Sequence, residues 1–417
     1  MTQQFPKVEF FTTRPKLEAG REQTVDVLIR ITPPELDSTH FRSPLNLSLV
    51  LDRSGSMAGQ KMVNARNAAM FCVDQMLATD RLSVVAFDER IDVLFPSEPV
   101  ANKHSMNDLI SRIDARGSTA LHEAWVRGGL TVSENLIDGG INRVILITDG
   151  QANVGLTSTE EIVSQALGLH QRGVSTSTIG IGDDFNEDLL MPMAHSAGGN
   201  AWHVVEPDDM KRIFQIELEG LVSQYAHTVS LSLIPADGVR IADQLNDFEL
   251  TETGRYRLPD LQSGSPLEVV VQLKVGPHSL GSSLRLLDLR LGFTPQDVKA
   301  AEVVKQSHTV DFVSQREVDA LPTNFEVVKA VQFLMNARAR NEAMRLIDQG
   351  QFSEAQAVIG SSLHATRAAC APLAGTYSVM QECASLEEVE ASLTDRLKDK
   401  LNRKRLAYAA QSIRRSK

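Results

Sequence analysis

The chain has 417 residues, of which 42% are hydrophobic and 23% charged, and its formal net charge is −11. That length exceeds one ordinary core and points to two or three domains, and the composition excludes a disordered or collagen-like chain. The negative charge excludes a broad surface for nucleic acid or anionic membrane.

The N-terminal MTQQFPKVEFFTTRPK lacks the basic start and apolar core of a secretory signal, and no apolar run reaches bilayer-spanning length. Cys72, Cys370 and Cys383 are too few and too irregular for a disulfide framework, so a reduced, cytoplasmic setting is expected. In QTVDVLIRITPP, Val25, Val27, Ile29 and Ile31 alternate as in a strand with one buried face, yet residues 1–44 hold too few strands to fold alone.

From Leu45 the pattern becomes apolar runs separated by helical stretches: LNLSLVL, RLSVVAF, RVILIT, VSTSTIGIG and NAWHVV. Met62, Ala65, Ala69, Cys72 and Met76 recur at helical spacing between them, and Leu121, Trp125 and Leu130 with Leu136 and Ile137 predict another helix. A closing helix is predicted over Pro207 to Gln224. This is a doubly wound, Rossmann-like α/β domain over 45–223.

After Tyr225 the period drops to two, through Val229, Leu231 and Leu233, then Leu267, Val269, Val271, Leu273 and Val275, then LRLLDLRLGF and HTVDFV. An antiparallel β-sandwich over 224–314 is expected, completed by the strands of 1–44, which makes the α/β domain an insertion. Residues 315–417 read as helical, with ARNEAMRLIDQGQFSEAQAVI forming a hairpin that turns at Gly350 and serves as a structural cap. A last helix from Ser385 carries Lys398, Lys400, Arg403, Lys404, Arg405, Arg414, Arg415 and Lys417, read as a solvated face.

The first run of the α/β domain ends in Asp52-Arg53-Ser54-Gly55-Ser56, between a strand and a helix, where open α/β sheets place ligands. Gly55 is expected to let the backbone turn so that both hydroxyls face one point. Thr119 in GSTALHEA stands just before a helix, and Asp149 in VILITDGQANVG ends a strand. Oxygen donors of this kind suit a hard cation. Taken singly, each residue has a structural reading: Asp, Ser and Thr cap helices, and Asp before Gly sits in turns.

Catalytic motifs are missing. Gly55 to Lys61 fails the phosphate-loop spacing at Gln60 and Met62, no His-Glu-x-x-His occurs, and Ser54 and Ser56 lack a nucleophile-elbow frame. His122, His195 and His203 read as packed or capping residues, and Asp183 with Asp184 as loop-shaping. An enzyme is not expected.

Asp52, Ser54, Ser56, Thr119 and Asp149, in this order and on these elements, resemble the metal-ion-dependent adhesion site of von Willebrand factor A-type domains. SLVLDRSGSMAGQKM, LSVVAFDE, IGIGDDFNEDLL and AHSAGGNAWHV resemble the family as well. The resemblance implies that these five residues hold Mg²⁺, with Mn²⁺ or Ca²⁺ as alternatives, and leave a coordination position for a Glu or Asp of a partner protein. The order of segments resembles bacterial multi-domain members, the inter-alpha-trypsin inhibitor heavy chains and integrin-type arrangements. It implies an adhesion or scaffold protein, with an AAA+ ATPase as one partner class. A metal-dependent hydrolase and a structural metal without partner capture are the alternatives.

Overall fold

The computed structural model of the chain describes residues 5–35, 43–150, 153–182, 185–204, 209–295, 298, 300–393 and 399–414. It divides into two compact units, one from Met1–Asp37, Tyr225–Pro295 and Ala300–Lys417, the other from Ser38–Gln224 and Gln296–Lys299. The first opens with β1 (Lys7–Thr12), β2 (Leu17–Glu18) and β3 (Gln23–Thr32). The second runs β4 (Leu45–Asp52), α1 (Gln60–Gln75), β5 (Arg81–Phe87), β6 (Ile91–Pro99), α2 (Lys103–Ser111), α3 (Leu121–Ser133), β7 (Ile141–Thr148), α4 (Thr159–Gln171), β8 (Ser175–Ile181), α5 (Glu187–Ser196), β9 (Gly198–Val204) and α6 (Asp209–Val222). The chain then returns with β10 (Gln224–Pro235), β11 (Val239–Gln244), β12 (Tyr256–Arg257), β13 (Leu261–Gln262), β14 (Leu267–Val275), β15 (Ser283–Pro295) and β16 (Glu302–Val313). It closes with α7 (Gln315–Ala320), α8 (Phe325–Asp348), α9 (Phe352–Ala369), α10 (Tyr377–Ser392) and α11 (Asp399–Arg414).

In the α/β unit the strand order is β6-β5-β4-β7-β8-β9, parallel except for the antiparallel edge strand β6. All eight residues of β4 are buried, as a central parallel strand covered on both faces requires. Leu45, Leu47, Leu49 and Leu51 pack into one core with Met62, Ala65, Ala69 and Cys72 of α1 and Ile213 and Phe214 of α6. Helices α3, α4 and α5 contact the strands on the other face. This is the doubly wound fold that the alternation of runs implies.

Boundaries differ from the sequence reading in ways the contacts explain. Helix α3 stops at Ser133, so Leu136 and Ile137 lie beyond it. Asn46 Nδ2 donates to the carbonyls of Val132 and Asn135, and the Asn142 side chain bonds both the N–H and the C=O of Ile137. Those bonds replace the next helical turn. The closing helix is Asp209–Val222, and Gln224 already belongs to β10; Pro207 lies outside the described residues. Strand β6 and helix α2 carry no signal used above, since β6 contains Pro96 and only Phe95 and Ser97 are buried along it.

In the other unit, β1-β3-β14-β11 form one sheet and β12-β10-β15-β16-β2 the second, with β13 beside β10. Val27, Ile29 and Ile31 pack with Val269, Val271, Leu273, Leu287, Leu289 and Leu291 in the core between the sheets. Leu28 and Val270 point the other way, where Val327, Ala330 and Leu334 of α8 cover them. Helix α8 therefore forms a third layer on this sheet, and residues of α8, α9, α10 and α11 share a further core. The last helix expected from Ser385 is two helices, α10 and α11. Its basic residues are not simply solvated: Arg403 pairs with Asp348 at 2.8 Å, Arg414 with Asp247 at 2.6 Å, and Lys404 is buried. Lys398, Arg415 and Lys417, and the side chains of Lys400 and Arg405, lie outside the described residues.

Candidate functional site

Strands β4 and β7 are parallel neighbours, so Asp52 at the end of one and Asp149 just past the other emerge at the same sheet edge. Asp52 is fully buried; Ser54, Thr119 and Asp149 are nearly so, while Ser56 is exposed. A continuous polar chain joins four of the five residues. The N–H of Ser54 donates to Asp52 Oδ1 at 2.7 Å, Ser54 Oγ lies 3.1 Å from Ser56 Oγ, and Ser56 Oγ donates to Asp149 Oδ1 at 2.8 Å. Thr119 closes the circle by way of Gly150. A methyl group added there would stand 3.3 Å from Thr119 Oγ1 and 3.5 Å from Asp52 Oδ2, so the Gly150 backbone lies against both side chains.

The capping alternatives do not describe this geometry. Ser54 precedes a short 3₁₀ turn, Gly55–Met57, without a side-chain cap bond, and the N-cap of α3 is Ala120 rather than Thr119. The turning role expected of Gly55 belongs to Gly59, whose φ of 79° lies in the left-handed region that favours glycine. Gly55 instead donates its N–H to the carbonyl of Gly117 at 3.0 Å, linking the first loop to the Thr119 loop.

Residues outside the motif complete the site. Thr148 Oγ1 donates to Asp52 Oδ2 at 2.5 Å, and Lys61, in the first turn of α1, donates to Asp149 Oδ2 at 2.5 Å. Asn153 Oδ1 accepts from the N–H of Thr119 at 3.0 Å. The two carboxylates are thus treated differently: Lys61 pairs with Asp149, whereas among the described residues Asp52 receives neutral donors alone. Burial pushes the Asp52 carboxyl up to about 6, against the pull of the Thr148 and Ser54 hydrogen bonds, and the charge of Asp149 adds to the rise. Among the described residues no group of three or more His, Cys, Asp or Glu could hold a metal, so any cation at this edge relies on hydroxyls as well as carboxylates.

The adjoining loop centres on Asp88, directly after β5. Burial raises its carboxyl, but hydrogen bonds from Arg116 and from the N–H of Arg90, with the charge of Arg53, outweigh burial and hold it below the usual carboxylate range. Of the histidines, His122 Nε2 lies 2.9 Å from Gln165 Oε1, His203 Nε2 lies 2.8 Å from the Gly182 carbonyl, and His195 stands in the last turn of α5. Asp183 and Asp184 lie outside the described residues. No described helix is long and apolar enough to cross a membrane.

Residues 46–217 match the von Willebrand factor type A domain, and this segment is such a domain. An uncharacterised protein of Synechocystis is 30% identical over 199 residues, 48% of this chain and 47% of that protein. Human inter-alpha-trypsin inhibitor heavy chain H4 is 25% identical over 222 residues, 51% of this chain and 23% of the heavy chain. The matched regions span less than half the length of these relatives. Among solved structures, a von Willebrand factor type A protein of Catenulispora acidiphila superposes with a TM-score of 0.71 at 17% identity, covering 98% of this chain and 97% of that one. The ArnB paralog VWA2 of Sulfolobus acidocaldarius gives 0.61 at 17% identity, covering 98% and 99%. At such identity the likeness is one of fold.

Proposed function

We propose that the α/β unit is a cation-assisted protein-binding module. Asp52, Ser54, Ser56, Thr119 and Asp149 would hold a divalent ion, Mg²⁺ by preference, and an acidic side chain of a partner protein would be its additional ligand. The observation that carries this reading is Asp52, a fully buried carboxylate that no cationic side chain among the described residues neutralises and that stands close to hydroxyls and a second carboxylate. An all-oxygen set of this kind fits a hard cation, whose charge would offset the burial cost at Asp52.

When bound, the ion supplies an electrophilic position for a carboxylate ligand. The chain's own residues prepare that position. Thr148 and the Ser54 amide orient Asp52, Lys61 balances Asp149, and Asn153 holds Thr119 from its backbone. Two carboxylates would only balance the ion's charge, Lys61 offsets one of them, and three hydroxyls donate weakly, so the ion would stay electrophilic and favour capture of an anionic group. Two neighbouring carboxylates are engaged: Asp88 by Arg53 and Arg116, and Glu89 by the Ser118 amide. This favours binding over hydrolysis, which needs a general base at the ion.

Calorimetric titration with Mg²⁺ tests the reading. The wild-type chain is expected to bind one equivalent, and Asp52→Ala none, with unchanged circular dichroism. Equal binding by both proteins would overturn it. Partner capture from a cell extract should disappear in EDTA and in Ser54→Ala.

A further inference from the structure

The Thr119 loop has no regular secondary structure, yet it is tied at nearly every residue. The N–H of Arg116 donates to the Arg53 carbonyl at 2.7 Å, the Gly117 carbonyl accepts from Gly55 at 3.0 Å, and the N–H of Ser118 donates to Glu89 Oε2 at 2.7 Å. The N–H of Ala120 donates to the Asp88 carbonyl at 2.9 Å. Two other loops, one after β4 and one after β5, therefore hold it on both sides of Thr119.

These loops meet at one side chain. Asp88 is fully buried. Its Oδ2 accepts from Arg53 Nε at 3.0 Å and from Arg116 Nε at 2.6 Å, and its Oδ1 from the N–H of Arg90 at 2.7 Å. Arg53 is the residue between Asp52 and Ser54, and its side chain is 8% exposed. Arg116 starts the Thr119 loop. Asp88 thus bridges a guanidinium from each of two of the three loops that carry proposed ligands, with the half-exposed Asp92 as a looser second bridge.

We infer that Asp88 is a positioning residue that sets Thr119 against the Asp52–Ser56 loop, so that Asp88, without touching the ion, governs affinity for it. This rests on the reading of the site as a cation centre. The physical argument is that hydroxyl ligands contribute weakly and only at the correct distance, so the cost of misplacing Thr119 falls on the ion. Without the Asp88 carboxylate, Arg53 and Arg116 share, among the described residues, the half-exposed Asp92 as their remaining ion-pair partner, which Arg116 reaches only at 3.4 Å, and Arg116 is itself 56% exposed. Outer partners of this kind typically govern metal affinity by 10- to 100-fold.

The test uses the full chain with Asp88→Asn, the exposed-side change Arg116→Gln, and Ile110→Val in the core of the same unit as a control for general destabilisation. Two readouts are needed. The first is amide hydrogen exchange in EDTA, where Asp88→Asn and Arg116→Gln are expected to lose protection across 116–120 while Ile110→Val does not. The second is the Mg²⁺ dissociation constant, expected to rise about tenfold or more in Asp88→Asn and about threefold in Arg116→Gln, with no change in Ile110→Val. If exchange across 116–120 matches wild type in both site variants, or if loosening leaves Mg²⁺ affinity unchanged, the inference falls. If Asp88→Asn fails to fold, Arg116→Gln decides it by the same two criteria. Absence of Mg²⁺ binding by wild type would sink the cation reading instead, and the exchange data alone would then decide whether Asp88 holds the loop.

Discussion

Two buried carboxylates of the α/β unit, Glu217 on α6 and Asp52 at the end of β4, have opposite surroundings. Glu217 accepts from Arg143 Nη1 at 2.9 Å, Ser177 Oγ at 2.5 Å, Asn200 Nδ2 at 2.7 Å and Trp202 Nε1 at 2.8 Å. Burial pushes Glu217 up, but Arg143 and these donors outweigh it and hold the carboxyl below its ordinary value. Asp52 has two neutral donors and a carboxyl raised to about 6. One charge is satisfied within the chain and fixes α6 against β7, β8 and β9; the other is left wanting positive charge. Burial alone does not mark a functional acid; burial without compensation does.

The largest expected effect is at the closed end. Glu217→Ala leaves Arg143 buried without its acid and should cost about 3–5 kcal/mol in urea denaturation. Because the folded-state pKa of Glu217 is depressed, its contribution should be complete above the unfolded value near 4.5 and be lost as pH falls through the folded value. A loss below about 1 kcal/mol would erase the contrast with Asp52. At the open end the sign reverses. Raising Asp52 from 3.8 to about 6 costs roughly 3 kcal/mol at pH 7, at about 1.4 kcal/mol per unit. In EDTA, Asp52→Asn should therefore be the more stable protein at pH 7, with the advantage vanishing as pH falls toward 4. Identical melting curves across that range would break the comparison.

Proton and cation should compete at Asp52, so Mg²⁺ affinity measured by calorimetry is expected to be roughly tenfold weaker at pH 5 than at pH 7. A flat profile would mean that Asp52 is not a ligand. The smallest effect belongs to a pair of the same chemistry at the surface. Arg112→Ala, which removes the exposed pair with Asp108 at 3.0 Å, should lower stability by about 0.3–0.5 kcal/mol, and a loss as large as that of Glu217→Ala would show that exposure is not what separates these pairs.

Local pattern made much of this legible. Asp52, Ser54, Ser56, Thr119 and Asp149 flank strands and helices whose periodicity is strong, so their placement at one sheet edge follows from the order of elements. Asp88, Asn153, Lys61 and Thr148 are ordinary residues in the sequence, and their roles arise from pairings across loops 30 to 100 positions apart. Glu217 looks like a polar residue on an amphipathic helix until β8 and β9 bring Ser177, Asn200 and Trp202 to it. A missed signal lay in β3: Leu28 breaks the alternation of Val27 and Ile29, and an apolar residue on the outward face announces a third layer, which α8 supplies.

The pairing of β3 with β14 also dictates a timetable for biosynthesis. Arg30 and Glu268, bonded at 2.7 Å across this pair, are 238 positions apart. At translation rates of about 5–20 residues per second, β3 leaves the ribosome roughly ten to fifty seconds before its partner exists, while the whole α/β unit is made in between. During that interval a ten-residue segment rich in Val and Ile has, among the described strands of its unit, β1 as its available sheet partner. Until β14 is made, one edge of β3 is thus open to the wrong partner, which makes this segment a place where aggregation can start and a chaperone can act.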